Sequence, residues 1–348
     1  MSELAGASSK AGAVIGRIAA LAPGIGVCLA IAAVAYYAGI RLPVVGAPVF
    51  AIVIGVAIAN ASGSTDLARR LQVKNISGTA LRAGIILLGA TLNLFDVVHT
   101  GIASLWLLAI TIGAGFLCAL GLGRALGVEW RTRCLIGIGT VICGASAIAA
   151  LAPVIRAKSE DIAYSVSVIF LFNMLAVILF PGFGHAIGLS DDGFGLWAGT
   201  AVNDTSAVVA AGFAFSPEAG NFATVVKLTR TTLIIPVTLA FGLAMPFLDR
   251  SADSAGGLAG RLKKAVPWFI LWFVVASLLN TVGLIGAAAP YVQIAARFVM
   301  VVALAAVGLQ GHWLAFVGAG FRPLLLGMST WAVVALTSLG VQSWTGQL

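Results

Sequence analysis

The 348 residues are 60% hydrophobic and only 9% charged, whereas a soluble domain carries about 25% charged residues, so the composition excludes a soluble protein. The formal net charge of +8 would suggest a nucleic-acid partner only if the basic residues shared an exposed face. They lie instead in short loops between apolar segments, the pattern that orients a membrane protein, and nucleic acid is set aside. Four cysteines without a CxxC pair argue against both a disulfide framework and a zinc site.

A spanning helix needs about 20 apolar residues, which predicts an all-α polytopic membrane protein with about 9–11 transmembrane segments. Residues 1–22 read as a polar N-terminal arm and the start of the membrane domain, and 23–348 as one transporter-like domain. Pro23 to Gly39 and Val44 to Ala61 form the first helical pair. The following loop carries Arg69, Arg70 and Lys74. Thr79 to Val97 and Gly101 to Gly123 are the third and fourth helices, followed by a basic loop from Arg124 to Arg133. A third basic loop, Asp249 to Lys264, precedes Pro267 to Ala288, Phe298 to Gly318 and Pro323 to Trp344. A cytoplasmic N-terminus puts all three basic loops inside the cell.

Between the second and third basic loops the chain repeats itself. Gly139 to Ala150, GTVICGASAIAA, aligns without gaps on Gly199 to Ala210, GTAVNDTSAVVA. Both stretches are rich in small residues, lie within apolar chain and carry polar groups at the middle, as membrane helices interrupted to expose backbone do. If the first stretch dips in and returns, Arg156 and Lys158 stay inside the cell and Asp191 and Asp192 fall outside. The second stretch then dips in from the opposite side, and the two copies are inverted repeats. A broken helix that crosses fully would leave a similar signal. A weaker echo pairs Leu88 to Asn93 with Val307 to His312.

The candidate solute site lies between these stretches. Cys143, Gly144, Ala145 and Ser146 would offer backbone N–H groups, favourable to anions at half-helix N-termini. Asn203, Asp204, Thr205 and Ser206 occupy the matching place. Lys227 and Arg230, early in the next helix, would attract an anion, with Asp204 as the coupling group. The bland reading pairs Asp204 with one of those bases, and treats the small residues as packing. Thr140, Asn173, Thr200 and Thr231 are second-tier polar candidates. No metal spacing occurs, and no cofactor is expected beyond a coupling H⁺ or Na⁺. An intramembrane serine hydrolase using Ser146 with His185 lacks an orienting acid. A passive channel lacks any selectivity-filter pattern.

At LRAGIILLGATLNL (81–94), GTVICGASAIAALAPVI (139–155), GTAVNDTSAVVAAG (199–212) and VVKLTRTTLIIP (225–236), the sequence resembles the YeiH-type family of bacterial inner-membrane proteins, catalogued as sulfate exporters. That resemblance covers most of the chain from Leu21 onward. It implies kinship with the cation–proton antiporter and bile-acid symporter superfamily, hence an elevator-like core moving against a scaffold in a homodimer. The core would comprise 79–123 and 134–248, the scaffold 23–61 and 265–345. The expected activity is ion-coupled transport of a small anion such as sulfate, a sulfonate or a carboxylate. The alternative is a Na⁺/H⁺-type antiporter centred on Asp204, although Gly144 stands where such antiporters carry a second acid.

Overall fold

The computed structural model describes residues 2–42, 46–62, 66–237, 239–241, 268–311 and 320–348, with side chains from residue 21 onward. The secondary structure of its described residues is all helical, with no strand among them. In chain order they form α1 (Ser2–Arg41), α2 (Gly46–Ala61), α3 (Leu67–Arg70), α4 (Val73–Gly89), α5 (Leu94–Ala125), α6 (Trp130–Val141) and α7 (Ala145–Leu151). These are followed by α8 (Ser159–Ala186), α9 (Asp191–Ala201), α10 (Thr205–Phe215), α11 (Pro217–Thr232), α12 (Trp268–Thr281), α13 (Ala289–Gly308) and α14 (Phe321–Thr345). Among the described residues six stretches are long and apolar enough to cross a membrane: 21–41, 94–125, 159–186, 217–241, 286–308 and 321–345. Helices α2, α10 and α12 are shorter and also apolar. The basic loop 249–264 and His312 lie outside the described residues.

Several boundaries differ from the sequence reading. The expected N-terminal arm is helical from Ser2, continuous with the first apolar helix. The third and fourth helices were placed at 79–97 and 101–123, but the chain leaves α4 at Gly89 and re-enters helix at Leu94. Asn93 sets that start: its side chain accepts a hydrogen bond from Phe95 N at 2.8 Å, the N-cap arrangement that satisfies an otherwise orphaned donor. Helix α11 likewise starts at Pro217, with Ser216 accepting from Ala219 N at 3.0 Å. Lys227 is therefore deep inside the 217–241 span rather than near its entrance.

The chain divides into two compact units, Met1–Gly84 with Ile294–His312, and Ile85–Gln293 with Trp313–Leu348. Within the smaller unit α1 packs on α2. Gly55 of α2 lies so close to α13 that an added Cβ would sit 2.7 Å from Ala305 O. The close approach of small residues replaces the hydrophobic drive that membrane helices lack. Asn60 donates to Gly311 O at 2.8 Å and Gln310 to Ser77 Oγ at 3.0 Å.

The larger unit holds α5 to α12 and α14. Helix α14 packs on α5, α6, α8 and α9. Buried polar contacts fix it there. Trp197 Nε1 donates to Ala335 O at 3.1 Å, and Thr200 shares a 2.6 Å hydrogen bond with Ser338.

Candidate functional site

Helix α6 ends at Val141 and α7 begins at Ala145; α9 ends at Ala201 and α10 begins at Thr205. Both breaks fall within the repeated stretches. The ends of each broken segment lie together. Thr132 Oγ1, in the first turn of α6, donates to Asp161 Oδ1 at 2.7 Å, and Arg131 Nε donates to Ile155 O at 3.1 Å. The chain thus returns after α7 to where α6 started. In the second segment Ser216 donates to Asp191 at 2.5 Å, and Phe194 stacks on Phe215 with ring centroids 4.0 Å apart. Each segment is a helical hairpin, not a bent helix.

Helix α8 measures the distance between the two hairpins. The first hairpin's base is tied to Asp161 at its N-terminal end, and the second's packs on Gly184 and His185 at its C-terminal end. Twenty-three residues separate Asp161 from Gly184, roughly 35 Å at about 1.5 Å per residue. The tips meet at the middle of α8. Asn173 Oδ1 accepts from Asn203 N at 3.1 Å and Asp204 N at 2.9 Å. Gly144, the first tip, would place a Cβ 3.5 Å from both Ile169 and the Cβ of Asp204. The hairpins therefore enter from opposite ends of α8 and touch halfway.

At the tips, four helix termini converge, and the sequence has matched three of them to their charge. The C-terminal ends of α6 and α9 present carbonyls with no intrahelical partner. Lys227 and Arg230, 0% and 1% exposed, supply the donors. Lys227 Nζ donates to Ile142 O at 2.8 Å, Val202 O at 3.1 Å and Asn203 O. Arg230 donates through Nε to Val141 O at 2.7 Å, through Nη1 to Thr200 O at 2.6 Å and Val202 O at 3.2 Å, and through Nη2 to Thr140 O. One turn of α11 thus closes both broken helices, using the favourable interaction of cations with helix C-termini.

This corrects one sequence expectation. Among the described residues Asp204 forms no ion pair with Lys227 or Arg230. Both side chains of α11 are engaged by main-chain carbonyls: all three donors of Lys227, and every nitrogen of Arg230. Asp204 instead caps α10, accepting from Ser206 N at 2.9 Å and from Ser206 Oγ.

The remaining candidates sort by what they touch. Thr140, Thr200 and Thr231 bond carbonyls one turn back on their own helices, at 2.8 Å each. Gly139 and Gly199 serve packing: added Cβ atoms would lie 3.0 Å from Ile148 and 2.7 Å from Val226. Cys143 and Ser206 are buried, Asp204 and Thr205 are half-buried, and Ala145 and Ser146 are exposed, so the open side of the tips consists of the last four. His185 stacks on Phe215 at the base of the second hairpin, about 18 Å along α8 from Asn173, too far to serve Ser146 as a base. Sequence reasoning missed the hairpin-base contacts of Asp161 and Ser216. It also missed that Asn203, 0% exposed, has both its side-chain oxygen and nitrogen without a hydrogen-bond partner.

The model of the family described as conserved hypothetical protein 698 matches residues 23–327. The chain is similar to a UPF0324 membrane protein of Streptococcus pyogenes serotype M18, 40% identical over 328 residues that cover 92% of this chain and 96% of the relative. It is similar to those of Streptococcus agalactiae serotype V, 39% identical over 336 residues (93% and 97%), and Clostridium tetani, 39% identical over 314 residues (87% and 91%). No solved structure matches it significantly. With its long apolar helices and a match that spans most of its length, the chain belongs to the UPF0324 membrane proteins, the YeiH-type family of conserved hypothetical protein 698.

Proposed function

We propose that this membrane protein is a secondary active transporter of a small anion, with its solute site at the crossing of the two hairpins. The observation that carries this reading is the tip-to-tip meeting of hairpins α6–α7 and α9–α10 at the middle of α8, opposite Asn173. Non-helical backbone at membrane depth is tolerated only where protein buries it or where it lines a solute path. Each hairpin with the helix after it, α8 or α11, forms one repeat, and the two repeats run in opposite directions. Alternating access follows from rocking or sliding of such repeats around a fixed site.

Charge favours an anion. Lys227 and Arg230 place two positive charges at the crossing, against one carboxylate, Asp204. The solute would lie against Ala145, Ser146, Asp204 and Thr205, the open groups at the tips. Sulfate, related oxyanions, sulfonates and carboxylates are the substrate classes that charge and the family resemblance support. We place the protein in the bacterial inner membrane as a homodimer with a cytoplasmic N-terminus, on the basic loops and that same resemblance.

The test is the thermal stability of the purified protein across a panel of small anions, with and without Na⁺, over a range of pH. A ligand at 100 times its Kd stabilises by about 2.7 kcal/mol. Sulfate or a related anion should raise the Tm of wild type and not of a Ser146→Trp variant, which fills the open side. No anion-dependent shift would remove the anion reading. The second reading, a cation antiporter, is favoured by one observation: the Asp204 carboxylate is half-buried and forms no ion pair among the described residues. It predicts shifts with pH or Na⁺ alone that Asp204→Asn abolishes.

A further inference from the structure

The carbonyl ends of α6 and α9 form a cage suited to a bare cation, and the chain fills it with its own side chain. Broken helices of transporters commonly use such half-helix C-termini and unwound carbonyls to hold a coupling ion. Here the Lys227 ammonium sits among three of them, Ile142 O, Val202 O and Asn203 O, drawn from both breaks. An ammonium has three donors and no acceptor, so three carbonyls satisfy it completely. The side chain is 0% exposed, leaving no room beside it for a second ion. Arg230 occupies the adjoining carbonyls of Thr140, Val141, Thr200 and Val202 in the same way.

We propose that the Lys227 ammonium is a tethered monovalent cation, filling the place between the hairpins where a metal ion would bind, and that the protein therefore works without Na⁺ in that cage. The proposal rests on the transporter reading only for its functional consequence; the cation assignment stands on the geometry. It bears on the two open sources of coupling, H⁺ and Na⁺, by taking the carbonyl cage away from the second. A metal cation would need Lys227 withdrawn, and its ammonium is held by both breaks at once.

The experiment compares the thermal stability of the full-length protein in detergent with NaCl and with choline chloride at equal ionic strength. Wild type should show the same Tm in both salts. Lys227→Ala empties the cage and leaves Ile142 O and Asn203 O without this donor. It should melt several degrees lower in choline, recover part of the loss in Na⁺, and recover more with n-propylammonium, which replaces the missing stem and charge. A Na⁺-specific rise in wild type overturns the proposal, and so does a Lys227→Ala protein that neither Na⁺ nor the amine restores. If Lys227→Ala does not survive extraction, monodispersity after solubilisation with and without the amine gives the same readout, and the wild-type comparison decides by itself. Failure of the transport reading is seen separately, as the absence of any anion-dependent shift or flux with the cation result unchanged.

Discussion

Gly144 and Asp204, sixty positions apart, cap the inner helices of the two hairpins and face one another, a Cβ on Gly144 lying 3.5 Å from that of Asp204. The carboxylate that closes the N-terminus of α10 has no counterpart at α7, because the matching residue has no side chain. Gly144 holds φ 65° and ψ −133°, a region open essentially to glycine alone. Gly144→Ala should therefore destabilise by about 1–3 kcal/mol, although the space accepts a methyl group. Gly182→Ala, inside α8 with nothing within 4 Å of the added carbon, should be neutral or stabilising. Equal Tm values for the two variants would remove the backbone argument.

The opposed entry of the hairpins predicts which side of the membrane each base occupies. Lys158 and Asp192 are exposed, at the N-terminal end of α8 and the start of α9. The roughly 35 Å between the bases exceeds the roughly 30 Å hydrocarbon core. Lys158→Cys and Asp192→Cys should react with a membrane-impermeant maleimide from opposite faces of oriented cells or vesicles. The four native cysteines, three of them buried, set the background. Labelling of both from one face would contradict the arrangement.

Asn173 is the only acceptor the described structure gives to the N–H groups of Asn203 and Asp204. Asn173→Leu keeps the volume and leaves the buried Asn203 N–H and the half-buried Asp204 N–H unmatched, at roughly 1–3 kcal/mol for the buried one. The expected result is a lower Tm together with faster amide exchange at the second tip. Unchanged exchange there would show that another group holds the tip.

Arg230 reaches both breaks with one planar group, which a point charge on a flexible stem cannot copy. Arg230→Lys should lose contact with at least one helix end and cost about 1.5–3 kcal/mol, the worth of a charged hydrogen bond. A variant as stable as wild type would mean that positive charge alone suffices at this position.

The polar midpoints were legible because expense is visible in sequence. Asn203, Asp204, Lys227 and Arg230 stand out in a chain with 9% charged residues, and an ionised group at bilayer depth demands a partner or a task. Ungapped repetition of the two stretches marked where helices would break. What the cations touch within the protein was not legible, because side chains are what a sequence displays, whereas the partners here are main-chain carbonyls, which every residue carries and no residue type advertises.

Composition and charge pattern thus determined by themselves that this is a multi-spanning helical membrane protein, because hydropathy and loop charge act locally and add along the chain. Only the tertiary structure decided that each interruption is a hairpin. That depended on whether Thr132 finds Asp161 and Ser216 finds Asp191, contacts over 25 to 29 positions that local spacing does not encode. It also decided that α14 joins the larger unit and that Lys227 and Arg230 close helix ends. Orphaned carbonyls from two distant breaks had first to be brought to one place before a buried cation could satisfy them.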